Sequence, residues 1–284
     1  MNEIVNIEIR DLADAPDNPF HVTMDAQMEK LIESIAENGI IAPIVTRKRD
    51  DGKYEIISGH RRKFACEILG IKTIPAVVRN LSRDEAVIAL VDSNLHREHI
   101  LPSEKAFAYK LKMEAMSRQG KRSDLTLSQV ATKSDSAKEI GKASSESRDT
   151  VFRYIRLTYL IPELLQKVDE GRIAFTPAVE LSYLTEPEQQ DLLTEMEYAD
   201  CTPSLSQAIR LHRLSQEGRL SSDGIYAVMS ELKPNQKEKI SLDYETVRQY
   251  FPGNYSPQDV QNAILKLVKQ DFRRRQKQAE RDSR

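Results

Sequence analysis

Where the apolar run Tyr54 to Ser58 meets an amphipathic one, the sequence places Gly59-His60-Arg61-Arg62-Lys63. That order sets three fixed cations into the first turn of a helix, the end whose unpaired N–H groups already carry roughly half a positive charge. Each cation so placed costs about 0.3–1 kcal/mol, and a bound phosphate reverses the sign. Gly59 lets the backbone come close, amide groups point at the oxygens, and the arginine forks grip them in pairs. A solvated Arg/Lys cluster at a helix start would read the same way.

A second polar cluster, Asp92-Ser93-Asn94-Leu95-His96-Arg97, closes a capped helix just before Ile100-Leu101-Pro102-Ser103-Glu104. Asn94 offers an oxygen to a magnesium ion and Arg97 a planar donor fork, the parts of a second wall for a triphosphate pocket. Arginine at a helix C-terminus also suits the dipole alone. His96 and His99 stand three apart, but no cysteine or third histidine lies nearby, which disfavours zinc.

The third cluster falls near 136–157. Ser136 to Gly141 reads as a short helix, Ala143 to Glu146 as a turn, and Ser147 to Leu157 as a second helix with Val151 and Ile155 inward, which is helix-turn-helix spacing. Ser147, Arg148, Thr150 and Arg153 would lie near the outward start of that second helix, where bases and phosphates are reached. Lys138, Lys142 and Arg156 would hold the DNA backbone. A plain αα-hairpin gives the same pattern.

The elements that must position these clusters change character along the chain. Ile4 to Ile9 reads as a strand, and Met28, Leu31, Ile32 and Ile35 as the face of a helix capped by Thr23 or Asp25 and closed by Gly39. Ile40 to Val45 and Tyr54 to Ile57 flank Arg49-Asp50-Asp51-Gly52 as a hairpin, and Ile74 to Val78 adds a strand. From the capping box Ser82-Arg83-Asp84-Glu85 onward the pattern is helical, with a basic helix from Pro102 to about Gln119 and a link plus small helix over Lys121 to Lys133. Several later helices open on proline. Pro234 to Lys237 reads as a linker, and Ser256 to Asp259 caps a last helix whose stripe of Val260, Ala263, Ile264, Leu267 and Val268 wants a partner. The segment from Lys266 to Arg284 carries eight Lys/Arg against three Asp/Glu and reads as a basic arm.

Three parts follow. The expectation is an α+β N-terminal domain over residues 1–100 that carries the candidate nucleotide-binding cluster, a mainly α-helical domain over residues 101–232 that carries the candidate helix-turn-helix for DNA binding, and a short helical C-terminal segment over residues 233–284. With 284 residues and a net charge of -2, polyanion binding must come from local patches. Cys66 and Cys201 stand far apart, which suits a reducing compartment, and no apolar run approaches the roughly 20 residues of a membrane span. The expectation is a cytoplasmic protein without a membrane.

Most of the chain resembles the ParB family of chromosome and plasmid partition proteins. Gly59-His60-Arg61-Arg62-Lys63-Phe64-Ala65 is similar to that family's Gly-Glu-Arg-Arg-x-Arg-Ala phosphate motif, and Ser93-Asn94-Leu95-His96-Arg97 to its Glu-Asn-x-x-Arg segment. Thr23 matches a third nucleotide-contacting position, and the intervening Gly39-Ile40-Ile41-Ala42-Pro43 agrees in order and separation. The resemblance implies a ParB/sulfiredoxin-like α+β domain and a homodimeric clamp on double-stranded DNA. Such a clamp reads a centromere-like site, closes with CTP and Mg2+, spreads on DNA with nucleoid association, and partners a ParA-type ATPase. Gly59, Arg61 and Arg62 would hold the triphosphate, with His60 beside them. Thr23 would contact the nucleotide, Asn94 would help hold magnesium, and Arg97 would brace that segment.

His60 and Ser93 stand where the family has glutamate, so the resemblance implies binding and leaves at most a weak CTPase. The arginine expected after the early proline is also absent, since the chain reads Asn18-Pro19-Phe20-His21. A sulfiredoxin-like enzyme is disfavoured, because Ser58-Gly59-His60-Arg61 lacks that enzyme's thiol and Cys66 reads as a core residue. Two rivals stay open: a transcription or nucleoid regulator without nucleotide switching, and an ATP-using phosphotransferase or nuclease.

Overall fold

The computed structural model describes residues 3–95, 97, 99–123, 129–231 and 243–282, so His96 and the linker read at 234–237 lie outside the described residues. Residues 1–231 and 232–284 make two compact units.

The first unit opens with strands β1 (Ile4–Glu8) and β2 (Leu12–Ala13), helix α1 (Ala26–Asn38), strands β3 (Ile44–Lys48) and β4 (Tyr54–Ser58), helix α2 (His60–Ile68) and strand β5 (Thr73–Arg79). The sheet order is β1-β5-β3-β4-β2; β1 and β4 pair antiparallel with β5 and β3, while β3–β5 and β2–β4 are parallel. Asp25, not Thr23, caps α1 by accepting from the Met28 amide at 2.6 Å, and Gly39 closes the helix at φ 68°. The strand expected from Ile40 starts only at Ile44, after Pro43, which has no N–H to give a ladder. The short β2 lies beyond the strand expected over Ile4 to Ile9.

Alternation along β4 builds two cores. Ile56 joins Met28, Ile35, Ile44, Cys66 and Ile74 in the layer between the sheet and α1 and α2. Its neighbour Ile57 joins Leu90 and Val91 on the opposite face. Those two belong to α3 (Arg83–Asn94), whose capping box of Ser82 and Glu85 is present. The same cluster takes in Tyr109 and Met113 of α4 (Pro102–Ser123), Ile140 of α5 (Gln129–Ser144) and Val151 of α6 (Arg148–Leu157), so the sheet and the helices after it share one core.

Helix α4 passes through Gly120 instead of ending there, and α5 begins well before Ser136. A lone glycine costs a helix only about 1 kcal/mol, which favourable neighbours offset. Helices α7 (Pro162–Asp169), α8 (Phe175–Leu181), α9 (Glu186–Tyr198), α10 (Leu205–Gln216) and α11 (Ser222–Met229) close over a third core that includes Leu157, Leu164, Leu181, Leu192 and Leu211.

The second unit holds α12 (Tyr244–Arg248) and α13 (Pro257–Asp282). The Ser256 amide and hydroxyl both donate to Asp259 at 2.9 and 2.6 Å and fix the start of α13. Val260 is buried, while Leu265, Leu267, Val268 and Phe272 are exposed.

Candidate functional site

Helix α2 begins on Gly59, which stands at φ 110° and ψ 20° and has no room for a side chain: a Cβ there would lie 2.5 Å from Ile44 Cγ2. That fit presses the start of α2 against β3. Beyond it opens a cavity of about 300 Å3 lined by Gly59, His60, Arg61, Arg62, Asn94 and Arg97, with Phe20, Val22 and Leu31 as its apolar wall. A second cavity of about 860 Å3 shares Arg61 and Arg97 and adds Thr23, Asp25, His21, His99 and Glu104. The seven residues singled out for nucleotide binding thus line two cavities with a common pair of arginines.

The cations are not unpartnered, contrary to what their position in the first turn implies. Arg61 Nη2 donates to Asp25 Oδ1 at 2.9 Å, Lys63 Nζ pairs with Asp14 at 3.2 Å and Glu67 at 3.3 Å, and Arg62 Nη1 donates to the carbonyls of Ala42 and, at 2.8 Å, Pro43. The chain supplies internal acceptors because three cations beside a helix N-terminus repel one another and the dipole. Burial pulls the Arg62 guanidinium below its usual range. It also weighs on Lys63, where the hydrogen bond and charge of Asp14, with Glu67, more than offset it and raise the ammonium. Asp25 is held below the usual carboxylate range by the Met28 amide first, against an opposing contribution from burial, with Arg61 adding to the lowering. The pairing of Asp25 with Arg61 has no local sequence signal, since the two stand 36 positions apart.

Across the cavity, Asn94 donates Nδ2 to Leu90 O at 2.9 Å and to Ser93 Oγ at 3.3 Å. Its other amide atom, the oxygen, is the acceptor a cation needs. The Arg97 amide donates to Asn94 O at 3.0 Å and carries the chain round the end of α3. Among the described residues no three His, Cys, Asp or Glu side chains group as a metal site. Cys66 is fully buried, and burial raises its thiol, which suits a core residue.

The candidate DNA residues divide by direction. Lys138, Lys142, Ser147 and Arg148 are exposed, and Thr150 is half-buried. Ser147 caps α6, accepting from the Thr150 amide at 3.1 Å. Arg148 reaches Asp149 at 2.8 Å, and Lys138 lies 3.5 Å from Asp135. Arg153 and Arg156 instead face the domain. Arg153 bonds Thr176 Oγ1 at 2.9 Å over the Phe175 ring, and Arg156 bonds Ser182 O at 2.7 Å between the rings of Tyr159 and Tyr183.

The turn before α6 rests on Gly141, where a Cβ would meet Glu146 O at 2.6 Å. Ser145 turns there at φ 58°. Glu146 is gripped from α4 by Lys105 and by the Tyr109 hydroxyl at 3.0 Å. One residue earlier on α4, Glu104 accepts the His21 amide at 2.8 Å at the rim of the larger cavity. Sequence reading gave no role to Glu104 and Lys105, whose charges on a helix read as solvent-facing, or to Glu146, which stood only as the end of a turn.

Comparison with known proteins gives the following. Residues 1–95 match the family model described as the ParB N-terminal domain. The chromosome-partitioning protein Spo0J of Thermus thermophilus is 32% identical over 187 residues, covering 66% of this chain and 62% of that protein. The nucleoid occlusion protein of Halalkalibacterium halodurans is 30% identical over 172 residues, covering 61% and 54%. Among solved structures, the C-terminally truncated chromosome-partitioning protein ParB from Caulobacter crescentus, complexed to the centromeric parS site, is 23% identical. That match covers 79% of this chain and 98% of that one, with a TM-score of 0.43. The chain therefore spans 54–62% of the length of these two curated relatives.

Proposed function

We propose that the chain, whose residues 1–95 match the ParB N-terminal domain, is a DNA-binding partition protein of the ParB type: a homodimeric, CTP-responsive clamp that reads a centromere-like site and spreads from it. The observation that carries this reading is the meeting of the α2 start with Asn94 and Arg97 on one cavity. Arginine forks on one wall and an amide oxygen on the other suit a triphosphate with Mg2+. Magnesium takes few protein ligands when phosphates and waters complete its shell, and Asn94 would supply one oxygen. Bound there, the ion would neutralise phosphate charge. Gly59, Arg61 and Arg62 would hold the phosphates, and Thr23 would meet the nucleotide in the larger cavity.

On the same reading α5, the turn and α6 act as the helix-turn-helix. Ser147, Arg148 and Thr150 present the reading surface, Lys138 and Lys142 hold the duplex backbone, and Arg153 and Arg156 set the angle of α6 against α8. The exposed apolar residues of α13 serve the homodimer, and a ParA-type ATPase is the expected partner. The three-part division at residues 100 and 232 belongs to this proposal, as does nucleoid association in the cytoplasm; among the described residues no helix is long and apolar enough to cross a membrane.

A calorimetric panel of CTP, ATP, GTP and UTP with magnesium, repeated on Arg97→Ala and with DNA, tests the reading. CTP is expected to bind best, and Arg97→Ala to weaken it at least tenfold. The second reading, a nucleoid regulator without nucleotide switching, is favoured by the internal partners of Arg61, Arg62 and Lys63, which make the site self-sufficient without an anion. DNA binding indifferent to every nucleotide would select it. Turnover of ATP with no effect of DNA would select a phosphotransferase.

A further inference from the structure

Helix α6 turns one narrow face to solvent. Arg148, Asp149 and Phe152 are its exposed residues, while Val151 and Leu157 are buried and the remaining side chains are half-buried. Phe152 is 38% exposed, and among the described side chains of α5 and α6 it is the only large apolar one in the open. It stands one turn beyond Arg148 on the same face, because residues four apart on a helix lie one above the other. The ring belongs to none of the three cores. Contact with water is a cost for an aromatic ring, so this position gains from an apolar partner.

The surroundings define that partner. The turn feeding α6 is gripped from α4 by Lys105 and Tyr109 through Glu146, and Ser147 caps the helix, so the exposed face has a fixed direction. Lys138 and Lys142 are exposed on α5, before the turn, and Arg148 opens α6. That basic margin suits a duplex. A phenyl ring has no donor or acceptor with which to read one. The major groove displays donors, acceptors and one apolar group, the C5-methyl of thymine. The methyl is therefore what Phe152 can recognise there.

We infer, resting on the helix-turn-helix reading above, that Phe152 is a specificity-determining residue whose ring packs on the C5-methyl of a thymine in the bound DNA. Four residues rise about 6 Å along a helix and base pairs stack about 3.4 Å apart, so that thymine lies within about two base pairs of the one beneath Arg148. Removing the methyl costs about fourfold in affinity, and only at that thymine.

The test uses the full-length chain and a pool of random duplexes. The duplex that the wild type selects is resynthesised with each thymine in turn replaced by deoxyuridine, which lacks only the methyl. Fluorescence anisotropy then gives the affinity of each duplex for the wild type, Phe152→Ala and Phe152→Gln. One replacement, or its symmetric counterpart, is expected to weaken the wild type by about fourfold and to leave both variants unchanged. If no replacement weakens the wild type, or if the same one weakens the variants equally, this inference alone is overturned. If the wild type selects no sequence, the helix-turn-helix reading and this inference fall together. Should Phe152→Ala not fold, Phe152→Gln decides.

Discussion

Gly59→Ala is the sharpest test of how the candidate site is built. The added Cβ would sit 2.5 Å from Ile44 Cγ2 and 3.0 Å from Ile44 Cβ, at a backbone φ of +110°. Ile44 cannot yield, because it is fully buried and β3 is held between β4 and β5. Two separate penalties apply: about 1–3 kcal/mol for a residue with a side chain in this sparsely populated conformation, and about 1–3 kcal/mol for overpacking a filled core. Their sum, about 2–6 kcal/mol, is a large share of the roughly 5–15 kcal/mol by which domains are stable. With a urea slope near about 2 kcal/mol/M, the midpoint falls by about 1–3 M.

Gly70→Ala is the control. Gly70 also has positive φ, at +68°, but nothing lies within 4 Å of its Cβ position, so only about 1–2 kcal/mol of conformational penalty applies. Urea unfolding of both variants, followed by circular dichroism, separates close approach from φ alone. A Gly59→Ala midpoint no lower than that of Gly70→Ala would refute the claim that Gly59 is required by its contact with Ile44.

Gly141→Ala should loosen the turn before α6, since its Cβ would meet Glu146 O at 2.6 Å; a loss of about 1–3 kcal/mol in thermal unfolding, with weaker DNA binding, is expected. Arg148→Ala should weaken DNA binding and reduce a log-log salt slope of about -5, for about six neutralised phosphates, by about one, measured by titrating salt against affinity. Arg156→Ala should lower the melting temperature while leaving that slope in place, because Arg156 is spent on Ser182, Tyr159 and Tyr183. Asp25 is depressed in the folded chain by the Met28 amide and then Arg61, so its contribution is present above the unfolded value of about 3.9 and is lost as pH falls through the lower folded value. Melting temperature should therefore fall more steeply on acidification below about pH 4 in the wild type than in Asp25→Asn.

Local patterns in the sequence carried the elements and the site unevenly. The face of α1, the box at Ser82 and Glu85 and the turn at Gly52 are readable because caps, period and turn chemistry act within a few residues. So is the grouping of Gly59, Arg61 and Arg62, which are neighbours in the chain. What the sequence hides is set by contacts across distance. Arg61 finds Asp25 over 36 positions, Glu146 finds Tyr109 over 37, and Arg156 finds Ser182 over 26. The spacing gives the helical face of α6, but only the packing of α8 shows that Arg153 and Arg156, unlike the exposed Arg148, carry partners within the domain.

The partners of the basic turn also constrain how any anion enters. A phosphate reaching Arg61 must compete with Asp25, which at the same time caps α1. If the Arg61 fork swings to the ligand, Asp25 keeps its bond from Met28 and loses its cation, so the carboxylate's depressed range relaxes toward that of an ordinary N-cap. Arg62 is held by backbone carbonyls of the Ala42–Pro43 segment, so recruiting it frees that segment instead of a side chain. Nucleotide binding at this site would be an exchange of partners. Its net free energy is the difference between two sets of charge-assisted hydrogen bonds, and that difference is small beside either set. Asp25→Ala, which releases Arg61 beforehand, should therefore tighten nucleotide binding even as it weakens the cap of α1.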